Sequence, residues 1–146
     1  MIEVTATTDV DAPPERVWDV LTDFGAFHAW NPFIREAHGS TELGGSVHVR
    51  VKPSLPVPLA FRATIIECEE GHRLRWRGHV VAPWVAAGDH TFEIEPLPDG
   101  RSRIIQRETF TGFLPKLAGR LLRDETRRGF EAMNHALAER AAREPA

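Results

Sequence analysis

The sequence predicts an α+β domain: a seven-stranded, curved antiparallel sheet around a long C-terminal helix, with two short helices after the first strand. Three observations predict it. Short alternating apolar runs separated by turn residues fill positions 33 to about 111. Apolar residues then recur at helical spacing from Leu114 to Leu137. Between the first alternating run and the rest lie two segments with helix signatures.

The chain has 146 residues, which is one domain by length, read as 1–146. It is 42% hydrophobic, enough for a core without metals or disulfides, and its net charge of −3 calls for no nucleic acid partner. Cys68 is the one cysteine, so an internal disulfide is excluded. In a strand-like run it reads as a small buried hydrophobe. Met1–Thr5 lacks the basic and apolar regions of a signal peptide, and no run reaches the roughly 20 apolar residues of a membrane span. The expectation is a soluble, cytoplasmic chain with no stable membrane insertion.

Ile2 to Asp9 alternates and is rich in Val and Thr, the first strand. Asp11 reads as a helix N-cap before Pro13-Pro14-Glu15. Val17, Val20 and Leu21, beside Trp18, give that helix its apolar face. A second short helix is expected from Asp23, carrying Phe24, Phe27 and Trp30, and Asn31-Pro32 ends it. Strands follow over 33–39 and 46–51, around Glu42-Leu43-Gly44-Gly45, and then over 60–67, 73–80, 88–96 and 101–111. Pro53 to Pro58 reads as a loop, because prolines cannot complete a hydrogen-bond ladder. From 114 to 143 one helix is expected, about 45 Å long if thirty residues are helical. Gly119 and Gly129 mark a bend or a close backbone approach within it.

A long sheet coils, and a single helix cannot fill its concave side evenly. Space between them is a natural site for a ligand when the walls are apolar with a few polar groups. The last hairpin indicates which side chains face that space. A three-residue Pro98-Asp99-Gly100 loop pairs Ile94 with Ile104, Phe92 with Gln106 and His90 with Glu108, whereas a two-residue turn sets Phe92 against Arg107. The apolar match favours the first register, since a one-residue slip turns every side chain to the other face. His90, Phe92, Ile94, Ile104, Gln106, Glu108 and Phe110 then share the concave face, with Leu74 and Trp76. Arg73, Arg75, Arg77 and His79 form an outer stripe. The expected ligand-contacting set is Trp30, Phe61, Trp76, Phe92, Gln106, Phe110, Phe113 and Met133.

Several stretches carry a family resemblance. These are Val10-Asp11-Ala12-Pro13-Pro14-Glu15-Arg16-Val17-Trp18, Trp30-Asn31-Pro32-Phe33-Ile34, the hairpin His90–Glu95 with Gly100–Arg103 and Glu108–Gly112, and Phe130-Glu131-Ala132-Met133-Asn134 with Leu137. In these and in element order, nearly the whole chain resembles the START-like (helix-grip, SRPBCC) superfamily, in its polyketide cyclase/dehydrase and lipid-transport branch. The resemblance implies a hydrophobic cavity between sheet and long helix, with no bound metal, nucleotide or other cofactor. It says little about activity, because members range from ligand carriers to cyclases and dehydratases.

His90 with Glu108 is the candidate catalytic pair: two titratable groups facing across a hairpin in apolar surroundings suit acid–base work, or simply orient a ligand. A neighbouring carboxylate favours the charged imidazole and desolvation opposes it. His38 can face His48 with Glu36 nearby, but Val47, Val49 and Val51 are the inward set, so His48 points outward and no metal site is expected. Nucleophile elbows and phosphate loops are missing from the sequence. The leading expectation is a binder of a hydrophobic small molecule of lipid, polyketide or aromatic type. The alternatives are a cyclase, aromatase or dehydratase using His90 and Glu108, and an accessory protein-interaction domain. A homodimer is left open.

Overall fold

Alternation along Ile2–Val10 (β1) buries Ile2, Val4, Ala6 and Val10 and leaves Glu3, Thr5 and Thr7 exposed, which commits one face of the strand to a core. The computed structural model describes residues 1–52 and 59–143. After β1 come helix α1 (Pro14–Thr22), a 3-10 turn (Phe24–Ala26) and helix α2 (Phe27–Trp30). Strands β2 (Ile34–Gly39), β3 (Ser46–Val51), β4 (Leu59–Glu69), β5 (Arg73–Val80), β6 (Ala86–Pro96) and β7 (Ser102–Thr111) follow, then helices α3 (Phe113–Leu117) and α4 (Gly119–Ala142). All seven strands form one antiparallel sheet of order β1-β7-β6-β5-β4-β3-β2. Register shifts between Ile34 and Glu36 and between Ile65 and Glu67 add local twist to a sheet that curls around α4.

The three-residue register of the last hairpin holds: Ile94 faces Ile104, Phe92 faces Gln106 and His90 faces Glu108. On the outer face the arginine stripe is an ion-pair ladder. Arg75 binds Asp89 through two hydrogen bonds of 2.7 Å, and Arg73 reaches Glu67 at 3.0 Å and Glu93 at 2.6 Å. Pairs this exposed contribute at most about 1 kcal/mol each, so the ladder keeps that face wet more than it stabilises the fold.

Four expectations are corrected. Asp11 does not cap α1: Pro13 holds that position without a side-chain hydrogen bond, and Asp11 pairs with Arg101 at 3.4 Å. The segment from Asp23 begins as a 3-10 turn around Gly25 before α2 forms. Cys68 is exposed, because it lies beyond Ile65, the last buried residue of β4, and one residue from the strand end. The C-terminal helix is two pieces, broken at Ala118 just before Gly119. The expected loop Pro53–Pro58 lies outside the described residues.

Two side chains set the angle of the helical layer. Asn31 accepts the backbone N–H groups of Phe33 and Ile34 at 3.0 and 2.9 Å, turning the chain from α2 into β2. Arg16 on α1 donates to the carbonyls of Arg140 at 3.1 Å and Ala141 at 3.4 Å, supplying a cation to the C-terminus of α4. Mid-helix, Gly129 lets α4 approach the Phe33 ring so closely that an added Cβ would overlap it. That ring is held in turn edge-to-face against Phe130 at 5.7 Å.

Gly129→Ala should therefore lower the melting temperature. The gain of about 1 kcal/mol in helix propensity is outweighed by an overpacking cost of roughly 1–3 kcal/mol. Thermal denaturation checks it; an equal or higher melting temperature would mean that Phe33 gives way without cost.

Candidate functional site

The concave side of the sheet is filled at one end and open at the other. Trp76, Phe92, Ile94 and Ile104 pack with Met133, Leu137 and Ala141 of the C-terminal half of α4 and with α1 and α2 into one core. Under α3 and the first turns of α4 a cavity of about 320 Å³ remains. Its walls include Val49 and Val51 of β3, Phe61 of β4, Gly78 and Val80 of β5, Gly88 and His90 of β6, and Glu108 and Phe110 of β7. The helical layer contributes Leu114, Leu121, Leu122, Glu125 and Thr126. On each strand the boundary falls between consecutive inward residues: His90 from Phe92 on β6, Glu108 from Gln106 on β7.

A buried hydrogen-bond chain marks that boundary. Asn134 donates from Nδ2 to the Ala6 carbonyl at 3.3 Å, Gln106 donates from Nε2 to Asn134 Oδ1 at 2.8 Å, and His90 Nε2 lies 3.0 Å from Gln106 Oε1. A backbone carbonyl only accepts, so the Ala6 end dictates the direction of the whole chain. Both amides are thereby oriented, and His90 must carry its proton on Nε2. Its Nδ1 lone pair then faces the Glu108 carboxyl, whose Oε2 is 3.7 Å away, beyond hydrogen-bond reach.

Burial decides the charge of both groups. The imidazole is stacked on Phe92 at 4.1 Å and tilted against Phe130 at 4.8 Å, with Trp76 edge-on at 5.5 Å. Desolvation lowers its pKa to about 4, against the opposing hydrogen bond that His90 donates to Gln106 and the charge of Asp89. Desolvation likewise raises Glu108 to about 8, with the Asp89 charge adding to it. At neutral pH the pair is a carboxylic acid beside a neutral imidazole, so the Coulombic preference for an ion pair loses to burial.

This seven-stranded half-barrel gripping a long helix also appears in solved structures. A Thermus thermophilus protein is 17% identical with a TM-score of 0.77, covering 95% of this chain and 96% of that one. The Zhui aromatase/cyclase of a Streptomyces species is 19% identical with a TM-score of 0.74, covering 95% and 92%. A Helicobacter pylori protein reaches 0.81 at 17% identity, covering 95% and 87%. Such identities establish the fold alone. Residues 1–144 match the family described as polyketide cyclase / dehydrase and lipid transport. The chain belongs to that family. No curated protein matches it.

Within this member of the polyketide cyclase/dehydrase and lipid-transport family, His90, Glu108, Phe61, Trp76 and Phe110 come together at the cavity. Phe92, Gln106 and Met133 have the expected facing but lie deeper, in the packed region where α4 sits close to the sheet. Trp30 packs edge-to-face on Phe27 at 5.2 Å, against that core and outside the cavity lining. Phe113 is 55% exposed: its N–H donates to the Trp84 carbonyl at 2.9 Å, and this pins the start of α3 to the β5–β6 loop with the ring turned outward. Glu125 was not anticipated. It lies one helical turn after Leu121, and an acid at apolar spacing was the available signal. One of its oxygens accepts from Arg128 at 2.6 Å, and the other is buried with no partner among the described residues. His79 reaches only the rim. His38 does face His48, both exposed, and no three potential ligands are grouped for a metal among the described residues.

The two shifted groups give stability a defined pH dependence. From pH 6.5 to about 8 the folded chain keeps the Glu108 proton that the unfolded chain, with its ordinary value of 4.5, has lost, so stability falls as pH rises. Between 4.5 and 6.5 that slope is opposed by His90, which refuses below 6.5 the proton the unfolded chain accepts. Glu108→Gln should remove the alkaline loss. Urea titrations of both proteins across this window should show wild type losing on the order of 1–2 kcal/mol relative to the variant. Parallel pH profiles would disprove the buried neutral acid.

Proposed function

We propose that this chain binds a hydrophobic small molecule, of lipid, polyketide or aromatic type, in the space between the sheet and the α3–α4 layer. One observation carries the reading: a cavity of about 320 Å³ whose walls are mostly apolar, with His90 and Glu108 as a confined polar spot at its inner end. Ligand sites typically run from about 300 to 1,000 Å³ with this kind of lining. Family membership is in keeping with it.

A second reading is supported by the placement of protons. A neutral carboxylic acid beside an imidazole with a free lone pair is the protonation state that general acid–base chemistry needs. Among the fold's neighbours is an aromatase/cyclase, which directs the choice of substrates to polyketide-type compounds. On this reading His90→Ala and Glu108→Gln each abolish turnover of such a substrate. Glu108→Gln keeps a melting temperature near wild type. His90→Ala, which leaves Gln106 Oε1 unpaired, melts several degrees lower but keeps a native circular dichroism spectrum. Turnover that survives both changes removes the pair from any catalytic role.

For the binding reading, the purified protein should enhance Nile red fluorescence with saturation at one dye per chain, and native mass spectrometry should show apolar molecules retained from expression. Val51→Trp, which adds an indole at a half-buried wall position, should weaken dye binding at least tenfold with a melting temperature within a few degrees of wild type. A folded wild type that neither retains a ligand nor binds the dye would return the chain to the interaction-domain reading.

A further inference from the structure

The cavity has an unusual charge inventory. Two carboxyl groups line it, Glu108 from the sheet and Glu125 from α4, and neither Lys nor Arg does among the described residues. Glu125 has Arg128 on one oxygen. Glu108 has no cation and no side-chain hydrogen bond to a described residue; the Nδ1 of His90, with its lone pair, lies 3.7 Å from its Oε2. The backbone-anchored chain through Asn134 and Gln106 prevents His90 from turning an N–H toward it. Space has been left for the carboxyl: a Cβ at Gly88 would sit 3.0 Å from its Oε2. The 14% of this side chain that is accessible belongs to the cavity wall. A buried polar group in this position takes its partner from whatever fills the cavity.

Resting on the binding reading, we infer that Glu108 is the specificity-determining contact, donating its carboxylic acid O–H to a ligand oxygen, so that the cavity takes uncharged ligands bearing a carbonyl-type acceptor on an apolar skeleton and rejects carboxylates, free fatty acids among them. A ligand carboxylate would lose its water in this cavity with no Lys or Arg among the described lining residues to offset its charge. The titratable groups facing Glu108 are His90 from β6 and Glu125 from α4, with His79 of β5 at the rim and none from α3. Burial, which keeps Glu108 protonated up to about 8, is what makes the donor available at neutral pH.

The test is displacement of Nile red from the full chain by four naphthalenes substituted at the same ring position: acetyl, ethyl, carboxylate and aminomethyl. At about pH 6.5 the acetyl compound should bind about five- to tenfold more tightly than its ethyl counterpart, as one hydrogen bond predicts, with the carboxylate weakest. At about pH 9.5, where the carboxyl has lost its proton, that preference should vanish in wild type. Glu108→Gln keeps a donor and should retain the preference at both pH values, while Glu108→Leu should lose it at both. Equal binding of the acetyl and ethyl compounds by wild type, tightest binding of the carboxylate or the amine near pH 6.5, or a preference that persists in Glu108→Leu would each overturn the inference. If Nile red and all four compounds fail to bind a protein with a native circular dichroism spectrum, the binding reading falls and takes this one with it; dye binding without the acetyl preference sinks this one alone.

Discussion

The hydrogen-bond chain from the Ala6 carbonyl through Asn134 and Gln106 to His90 joins β1, α4, β7 and β6 at the depth where the packed core gives way to the cavity. Each member is buried, so a missing partner would leave a polar group unpaired in apolar surroundings, at a cost of roughly 1–3 kcal/mol. That penalty ties the rotation of α4 to the register of the β6–β7 hairpin. It also has a direction, because its far end is a backbone carbonyl. One inflexible acceptor in the first strand thus sets the orientation of two amides, the tautomer of a histidine and the face that histidine shows to Glu108.

Around this boundary the structure divides its labour along α4. The C-terminal half lies close to the sheet, with Phe130, Met133 and Leu137 fully buried, and Arg16 of α1 holds its last carbonyls. Gly129 permits the close approach, and Phe33 occupies the room a side chain there would take. The N-terminal half, separated from α3 at Ala118, leans on β1, where Gly119 and Leu122 meet Ile2 and its neighbours, and leaves space over the inward faces of β3 to β7. The cavity is therefore a consequence of uneven cover of the sheet by the helix. Its inner end is dry enough that desolvation governs ionisation, which is why two groups able to form an ion pair stay neutral together.

Much of the fold was legible because it rests on periodicity. Val4, Val47, Val49, Trp76 and Ile104 alternate with polar residues, and the apolar match across Pro98-Asp99-Gly100 selects one hairpin register over its neighbour. The candidate site was legible in facing and not in depth. Phe92 and His90 are both inward on β6, yet one belongs to the core and the other to the cavity. Side-chain alternation carries no information about how far away the opposing helix lies. Trp30 and Phe113 failed for a related reason: aromatic character marks burial in general, while the neighbours of an aromatic depend on how short helices dock. Asp11 failed as a cap because its partner, Arg101, is 90 residues away in sequence.

By itself the sequence determined the element order, the face each strand turns inward and the pairing of His90 with Glu108, since these follow from local pattern and turn chemistry. The helix break at Ala118, the exposure of Cys68, the entry of Glu125 into the cavity wall and the neutral state of the His90/Glu108 pair were decided by the tertiary structure. The reason is physical. Desolvation, cavity volume and tautomer depend on what approaches a side chain from distant parts of the chain, and that becomes defined only once α4 has settled against the sheet.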